Sequence, residues 1–327
     1  MRLSLLDLSI IGPTETARES LEGSVRLARA AEAGGLHRIW FAEHHNMREV
    51  ASSATAVLVG HIAGATERIR VGAGGIMLPN HSPLTVAEQF GTLETLYPGR
   101  IDLGLGRAPG GDRRTLYALR RDETSSDRFP SDVVELQRYL NEEFDAQGVN
   151  AVPGWGTRVP LYILGSSLFG ADLAAKLGLP YAFASHFAPG ALQDALAHYR
   201  STFRPSAELA EPYTIVGANV FAADTPEDAE RIRQQVTRQR VKRFLPPGRN
   251  YTDQEIDQIL ASPEGTKVAE MLSVSAVGTG SEVKRGLEAI KQATGTDEII
   301  ATFNGTTVAE RVRAVEITAA SGVVSET

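Results

Sequence analysis

The sequence predicts an α/β chain folded as a (β/α)8 TIM barrel, with insertions at the C-terminal rim and residues 1–327 forming one domain. Three observations predict it. Short apolar runs recur eight times, helix-patterned segments separate most of them, and the first strand lacks a dinucleotide fingerprint. Strands and helices alternating in this number fit a parallel barrel. The rival, a doubly wound Rossmann sheet, needs G-x-G-x-x-G after its first strand. Here the first strand runs into IIGPTE, and the stretches GAGG (72–75) and GLGRAPGG (104–111) follow later strands at the wrong spacing.

The expected strands, in order, are 3–11, 38–42, 69–78, 100–106, 161–165, 181–185, 214–223 and 298–304. They are rich in Ile, Val and Leu without clean alternation, as strands covered on both faces should be. TARESLEGSVRLARAAEAGG has apolar positions at helical spacing and ends in Gly34-Gly35, a C-cap signal. SATAVLVGHIAGATERI follows the second strand. SPLTVAEQFGTLETLYPG follows the third, with Ser82 at the N-cap position and Pro83 at the first helical one. Further helices are expected over 224–244 and 280–294. Two long connections, 107–130 and 246–265, break the rhythm. On a barrel such loops belong at the C-terminal rim, where substrates are held; a surface insertion without function is the alternative.

The composition, 42% hydrophobic and 22% charged, is that of a globular domain with a sizeable core. A net charge of −7 leaves no electrostatic footprint for nucleic acid. The densest basic run, ERIRQQVTRQRVKR, alternates with acids and polar residues and reads as a solvated helix face. There are no cysteines, so disulfides, thiolate nucleophiles and cysteine metal sites are excluded. The N-terminus reads as a first strand rather than a signal peptide, and no apolar run is long enough to span a bilayer. A cytoplasmic setting with no membrane contact is expected.

Four strand ends carry candidate chemistry. FAEHHN places two of the seven histidines side by side after the second strand. Neighbouring strand residues face opposite ways, so His44 and His45 do not chelate one ion, and the order is not H-E-x-x-H. No metal is expected. A histidine at the C-terminal end of a barrel strand stands where catalytic groups collect and titrates near neutral pH; two structural histidines are the alternative. In GAGGIMLPNHSP, Gly74 and Gly75 mark a close approach of ligand or backbone, or else a tight turn. RIDLGLGRAPGG clears space with Gly104 and Gly106 and follows with Arg107, a fixed cation suited to an anionic group or to a surface ion pair. LYILGSSLFGADLAAKLG ends a strand in Gly165, Ser166 and Ser167 just before a helix. That is either a phosphate seat or an ordinary serine N-cap. A flavin mononucleotide would use all four.

With these residues in place, the chain resembles the luciferase-like flavin monooxygenases, the group that includes bacterial luciferase, and within it the single-chain, FMN-type subgroup. The resemblance rests on four ordered blocks: RIWFAEHHN, RIRVGAGGIMLPNHSPLTVAEQFGTLETLYPGRIDLGLGRAPG, PLYILGSSLFGADLAAKLGLPYAFASHF, and SAVGTGSEV followed by DEIIATFN. It implies a barrel that binds reduced FMN (FMNH2) at its C-terminal rim, meets O2 as co-substrate and oxygenates a small organic molecule through a C4a-hydroperoxide. His44 falls on the histidine that supports this chemistry. Gly74-Gly75 falls on the non-proline cis peptide under the flavin ring. Arg107 falls on the flavin-phosphate arginine, and Gly165, Ser166 and Ser167 on the phosphate-holding segment. Two positions depart from the family pattern: Gly106 replaces the reactive cysteine of luciferases, and Gly165 replaces a carboxylate. Aldehyde luminescence is therefore not expected by default.

The resemblance further implies a separate NAD(P)H:flavin reductase as the source of reduced FMN, and a homodimer. The segment SATAVLVGHIAGATERI carries the small residues Ala54, Ala56, Gly60, Ala63 and Gly64 and is apolar on more than one face, as a helix between its own barrel and a partner would be. His45 is expected outside the ring site, and the sequence does not say whether Asn46 reaches the pocket. Two alternatives stand beside the oxygenase: a deazaflavin-dependent oxidoreductase, and a flavin-binding protein without turnover. The sequence does not identify the substrate.

Overall fold

The computed structural model describes the chain except residues 109–110, 142–144, 243, 246–248, 250 and 325–327. Among the described residues there are nine strands: β1 (Arg2–Asp7), β2 (Arg38–Phe41), β3 (Arg70–Met77), β4 (Ile101–Gly106), β5 (Leu161–Gly165), β6 (Tyr181–Phe183), β7 (Thr214–Ala222), β8 (Ser275–Gly278) and β9 (Glu298–Phe303). The helices are α1 (Ala17–Ala33), α2 (Thr55–Gly64), α3 (Pro83–Leu96), α4 (Arg113–Ala118), α5 (Phe129–Asn141), α6 (Leu168–Leu177), α7 (Leu192–Thr202), α8 (Pro226–Lys242), α9 (Asp253–Leu260), α10 (Pro263–Glu270), α11 (Gly280–Thr294) and α12 (Val308–Ala320).

Every strand pairing is parallel, and the sheet closes. β1 through β7 pair in order, β9 joins β7 to β1, and β6 meets β7. The eight expected strands are the eight staves of this barrel. β8 is a ninth strand outside it. It pairs with the last residues of β7, Asn219 to Ala222, beyond most of the β7–β9 register. The expected bounds ran past the true ends at residues 8–11, 42, 78, 184–185, 223 and 304. The connection 107–130 contains α4 and a 3-10 turn at Glu123–Arg128, and 246–265 contains α9; positions 109–110, 246–248 and 250 of these stretches lie outside the described residues.

Local signals set the helix ends. Thr16 caps α1 in a capping box with Glu19, and Thr279 does the same for α11 with Glu282. Pro83 occupies the first position of α3, after Ser82. Gly178 and Gly295 end α6 and α11 in left-handed conformation.

Alternation along the strands separates two apolar layers. Ile39, Phe41, Val71, Leu103, Val216 and Ala218 face the helices and join the main core. Leu6, Trp40, Tyr162, Ala182, Ile215 and Ile300 face the barrel axis. Below them the axis is closed by charge. Arg38 donates to Asp102 (2.8 Å), to the Tyr162 hydroxyl (2.7 Å) and to Glu298 (3.0 Å). Asp102 also accepts from Trp40 Nε1 (3.1 Å) and Arg70 Nε (3.1 Å), and Glu298 accepts from the Tyr213 hydroxyl (2.7 Å). Two arginines face two carboxylates, so the plug is neutral and hydrogen-bonded, as buried charge must be. The axis is therefore blocked near the strand starts, where Arg38, Tyr162 and Tyr213 line a smaller cavity of about 280 Å³, and the larger cavity lies at the end where the β-strands finish.

Candidate active site

The open end holds a cavity of about 550 Å³, within the usual range for a small-molecule site. Trp40 and Leu6 form its floor, continuing the inner layer of the barrel. His44, Gly74, Arg107, Gly165, Ser166 and Ser167 all line it. The barrel thus brings together residues that the sequence spreads over four segments.

Each position follows from its strand. Trp40, Ala42 and His44 share one parity, and all three reach the cavity. Glu43 and His45 have the other parity. The Glu43 carboxylate is buried and accepts from His45 Nε2 (2.8 Å), His81 Nε2 (2.9 Å) and the Met77 amide (3.0 Å). Burial pushes its pKa up, but the two histidines and the amide outweigh that and hold it below the ordinary glutamate value. Since Met77 ends β3, Glu43 ties the ends of β2 and β3 together and so fixes the backbone that carries His44. His45 is part of that tie, and its side chain serves the carboxylate rather than the cavity. Asn46 sits at φ +56 and donates to Asp112 (3.4 Å), tying this loop to the start of α4.

Glycine shapes the next wall. The Gly74–Gly75 peptide bond is cis, and Gly74 lines the cavity. A Cβ at Gly74 would lie 2.8 Å from Trp40 Cβ, and one at Gly75 would lie 2.7 Å from the Gly104 carbonyl oxygen. At Gly106 an added Cβ would meet Met77 Sδ at 3.0 Å.

The anion seat lies at the start of α6. Ser167 is its N-cap residue and makes no side-chain capping bond, and no acidic residue occupies the first turn. The first amides of a helix lack intrahelical acceptors and carry partial positive charge. Ser166 and Ser167 add two hydroxyls beside them. Across the seat stands Arg107, whose guanidinium lies 3.9 Å from the centroid of the Phe169 ring. This set of donors fits a phosphate monoester: amides at a helix start, hydroxyls and one exposed cation. Among the described residues no cluster of His, Cys, Asp or Glu has the form of a metal site.

Comparison with known proteins decides the family. The family model described as Luciferase-like monooxygenase matches residues 1–298. The chain belongs to the luciferase-like monooxygenase family. A protein of Escherichia coli (strain K12) named luciferase-like monooxygenase is 50% identical over 304 residues, covering 91% of this chain and 90% of its own. Among solved structures, apo-MsnO8 superposes with a TM-score of 0.82 at 31% identity, covering 98% of each chain. The oxygenating constituent of 3,6-diketocamphane monooxygenase from Pseudomonas putida, solved with FMN, superposes at 0.73 with 18% identity, covering 98% of this chain and 97% of its own. That last likeness concerns the fold. This luciferase-like monooxygenase has, among its described residues, no helix long and apolar enough to cross a membrane.

Sequence reasoning missed part of the cavity wall. His186, after β6, and Arg240, near the end of α8, both line it, as do Phe187 and Phe244. The wall nearest the 246–265 stretch comes from Phe244 and Met271, just outside it, whereas the 107–130 stretch supplies Arg107, Ala108 and Phe129. The signal available for His186 was positional: a histidine directly after the predicted strand 181–185 and followed by an aromatic residue, in YAFASHF.

Proposed function

We propose that this monooxygenase works with FMN, supplied already reduced by a separate NAD(P)H:flavin reductase, and uses O2 to oxygenate a small organic substrate. The observation that carries this reading is the anion seat of Ser166, Ser167 and Arg107 in the same cavity as His44 and Gly74, whose peptide bond to Gly75 is cis. Reduced FMN, when bound, supplies the electrons that activate oxygen. Ser166, Ser167 and the first amides of α6 would hold the phosphate, with Arg107 adding charge. Gly74 and Gly75, having no side chains, leave a flat backbone surface for a ring. His44 would hold a proton at its imidazole beside that ring, as a general acid or base. The apolar floor and the ring of Phe187, Phe244 and Met47 would keep bulk water from the reacting atoms.

The experiment is anaerobic binding of reduced FMN, followed by addition of oxygen and recording of flavin reoxidation. Saturable binding is expected, with reoxidation slower than for free flavin. His44→Ala is expected to bind FMN equally and to reoxidise at nearly the free rate. No saturable binding, or tighter binding of a reduced deazaflavin, would overturn the FMN reading.

The homodimer remains part of the proposal, on a different footing from the sequence argument. The small residues of α2 serve its own chain: a Cβ at Gly60 would meet Leu93 of α3 at 3.0 Å, one at Gly64 would meet the Tyr97 hydroxyl at 3.0 Å, and Ala63 is buried. What α2 leaves outward is Val57, 74% exposed, with Leu96 of the neighbouring α3 at 63%.

A further inference from the structure

The cavity wall divides by strand. The ends of β3, β4 and β5 carry Gly74, Arg107, Ser166 and Ser167, the set assigned above to the flavin. The ends of β6 and β7, with α8, carry His186, Phe187, Gly217, Arg240 and, just past the helix, Phe244. The second half is lined mostly by apolar groups, with one imidazole and the Arg240 guanidinium set among them.

The position of His186 is fixed from several directions. Ser185 Oγ donates to the Gly217 carbonyl (2.6 Å), and Asn219 Nδ2 donates to the His186 carbonyl (2.9 Å). Arg240 donates to that carbonyl as well (3.3 Å). Phe187 meets the ring edge-on, with centroids 5.2 Å apart. Gly217 gives the ring its place, because a Cβ there would lie 2.5 Å from His186 Nδ1. Gly217 has the parity of Ile215, which faces the barrel axis, so the imidazole lies over the barrel mouth.

The backbone is held, yet the imidazole is not satisfied. Nδ1 is buried and has no hydrogen-bond partner among the described residues. Such an omission costs about 1–3 kcal/mol. A phenylalanine or leucine would fill the same volume without that cost, so packing alone does not account for a histidine. Burial, with Arg240 and His44 adding to it, pushes the imidazole down to about 3. The ring is therefore neutral at working pH, and with Nδ1 packed over Gly217 the nitrogen it offers to the cavity is Nε2.

We propose that His186 hydrogen-bonds a neutral oxygen, carbonyl or hydroxyl, on an otherwise apolar organic substrate seated against β6, β7 and α8. The substrate side of the cavity rests on the assignment of β3–β5 to the flavin. His186 is then a specificity residue: it admits an apolar body and selects for one polar group on it.

The test uses three probes with one carbon skeleton: acetophenone, 1-phenylethanol and ethylbenzene. Their dissociation constants are measured by calorimetry on wild type, His186→Leu and His186→Gln, with and without reduced FMN, and reduced-FMN affinity is measured separately on each protein. The ratio of the ethylbenzene to the acetophenone constant is expected to fall by about 3- to 10-fold in His186→Leu, the worth of one neutral hydrogen bond. His186→Gln, which keeps a neutral donor and acceptor, is expected to retain part of the preference. FMN affinity is expected to be equal in all three. A ratio unchanged by His186→Leu, or failure of the wild type to bind any probe, would overturn the proposal. So would a loss of FMN affinity of 10-fold or more in His186→Leu, which would give the ring to the flavin. If no protein bound FMN while the probe ratio still followed residue 186, the flavin reading would fall and the role of His186 would stand.

Discussion

Asp102→Asn tests whether the charged plug holds the barrel together. Asp102 is fully buried and shares its carboxylate among Arg38, Arg70 and Trp40. The substitution keeps the shape and removes one of two negative charges that offset two arginines. Removing one partner of a buried ion pair costs about 3–5 kcal/mol, because the opposite charge is left uncompensated. For 327 residues the unfolding entropy is about 0.7 kcal/mol/K. The melting temperature should therefore fall by about 4–7 °C in a calorimetric scan at neutral pH. Removing a positive charge as well, in Asp102→Asn with Arg70→Met, should recover part of the loss, since the plug is again neutral. The pH dependence has a definite sign. Burial pushes the Asp102 carboxyl up, but Arg38 and then Arg70 outweigh it and hold the pKa below the ordinary 3.8. A group lowered in the folded state contributes stability above its unfolded value and loses it as pH falls through the folded one. The gap between wild type and variant should then narrow in acid below about pH 3.8. A fall of less than about 1 °C at neutral pH, or no recovery in the double variant, would refute the reasoning, because one buried charge would then be left uncompensated at almost no cost.

Other outcomes follow from single contacts. Arg107→Ala should weaken reduced-FMN binding by about 10- to 100-fold, as loss of a charged hydrogen bond does, while leaving riboflavin binding unchanged; equal effects on both in a binding titration would place Arg107 away from the phosphate. Gly104→Ala puts a Cβ 2.4 Å from the Ala73 carbonyl oxygen, whereas Gly106→Ala meets only the Met77 thioether at 3.0 Å. In urea titration the first should cost about 3 kcal/mol or more and the second under about 1 kcal/mol, since a flexible side chain yields and a backbone does not. Val57→Arg should convert a homodimer to monomer in sedimentation velocity; a wild-type monomer, or an unchanged dimer in the variant, would remove α2 from the interface.

The barrel was legible because a strand buried on both faces leaves a near-continuous apolar run, and all eight staves do. β8 left no such trace. Its four residues, Ser275 to Gly278, include a serine and a glycine, and it needs only the projecting end of β7 to pair with. Position on predicted strands singled out His44, Gly74, Arg107 and Ser166, with a structural alternative open at each, and the structure sets all four around one cavity. The plug was not legible. Arg38, Asp102 and Glu298 stand at or near strand starts, where charge ordinarily meets solvent, and only closure of the sheet turns them toward one another. His186 was hidden for a different reason: the predicted barrel sets β7 beside β6, but nothing in the sequence shows that Gly217 leaves the room the imidazole fills.

Glycines on the inner face of β3 and β4 link the plug to the cavity. A Cβ at Gly72 would lie 2.4 Å from the Asp102 carbonyl oxygen and 2.7 Å from its Cβ, and one at Gly74 would lie 2.8 Å from Trp40 Cβ. The space these two strands leave on the axis is taken by large side chains from their neighbours. Arg38 and Trp40 come from β2 and Tyr162 from β5, with the Trp40 and Tyr162 rings edge-on at 4.9 Å. Up to the level of Trp40 that exchange fills the barrel. Above it, Gly104 and Gly106 continue to add nothing, while β2 offers only Ala42 before His44. The cavity begins where the large residues stop, so Trp40 is at once the top of the packed core and the floor of the site. A smaller residue at 40 would deepen the cavity into the charged plug and let water reach Asp102. A larger one at Gly74 would displace Trp40. Stability at the base and shape at the rim are therefore coupled through one indole, which donates to Asp102 and floors the cavity.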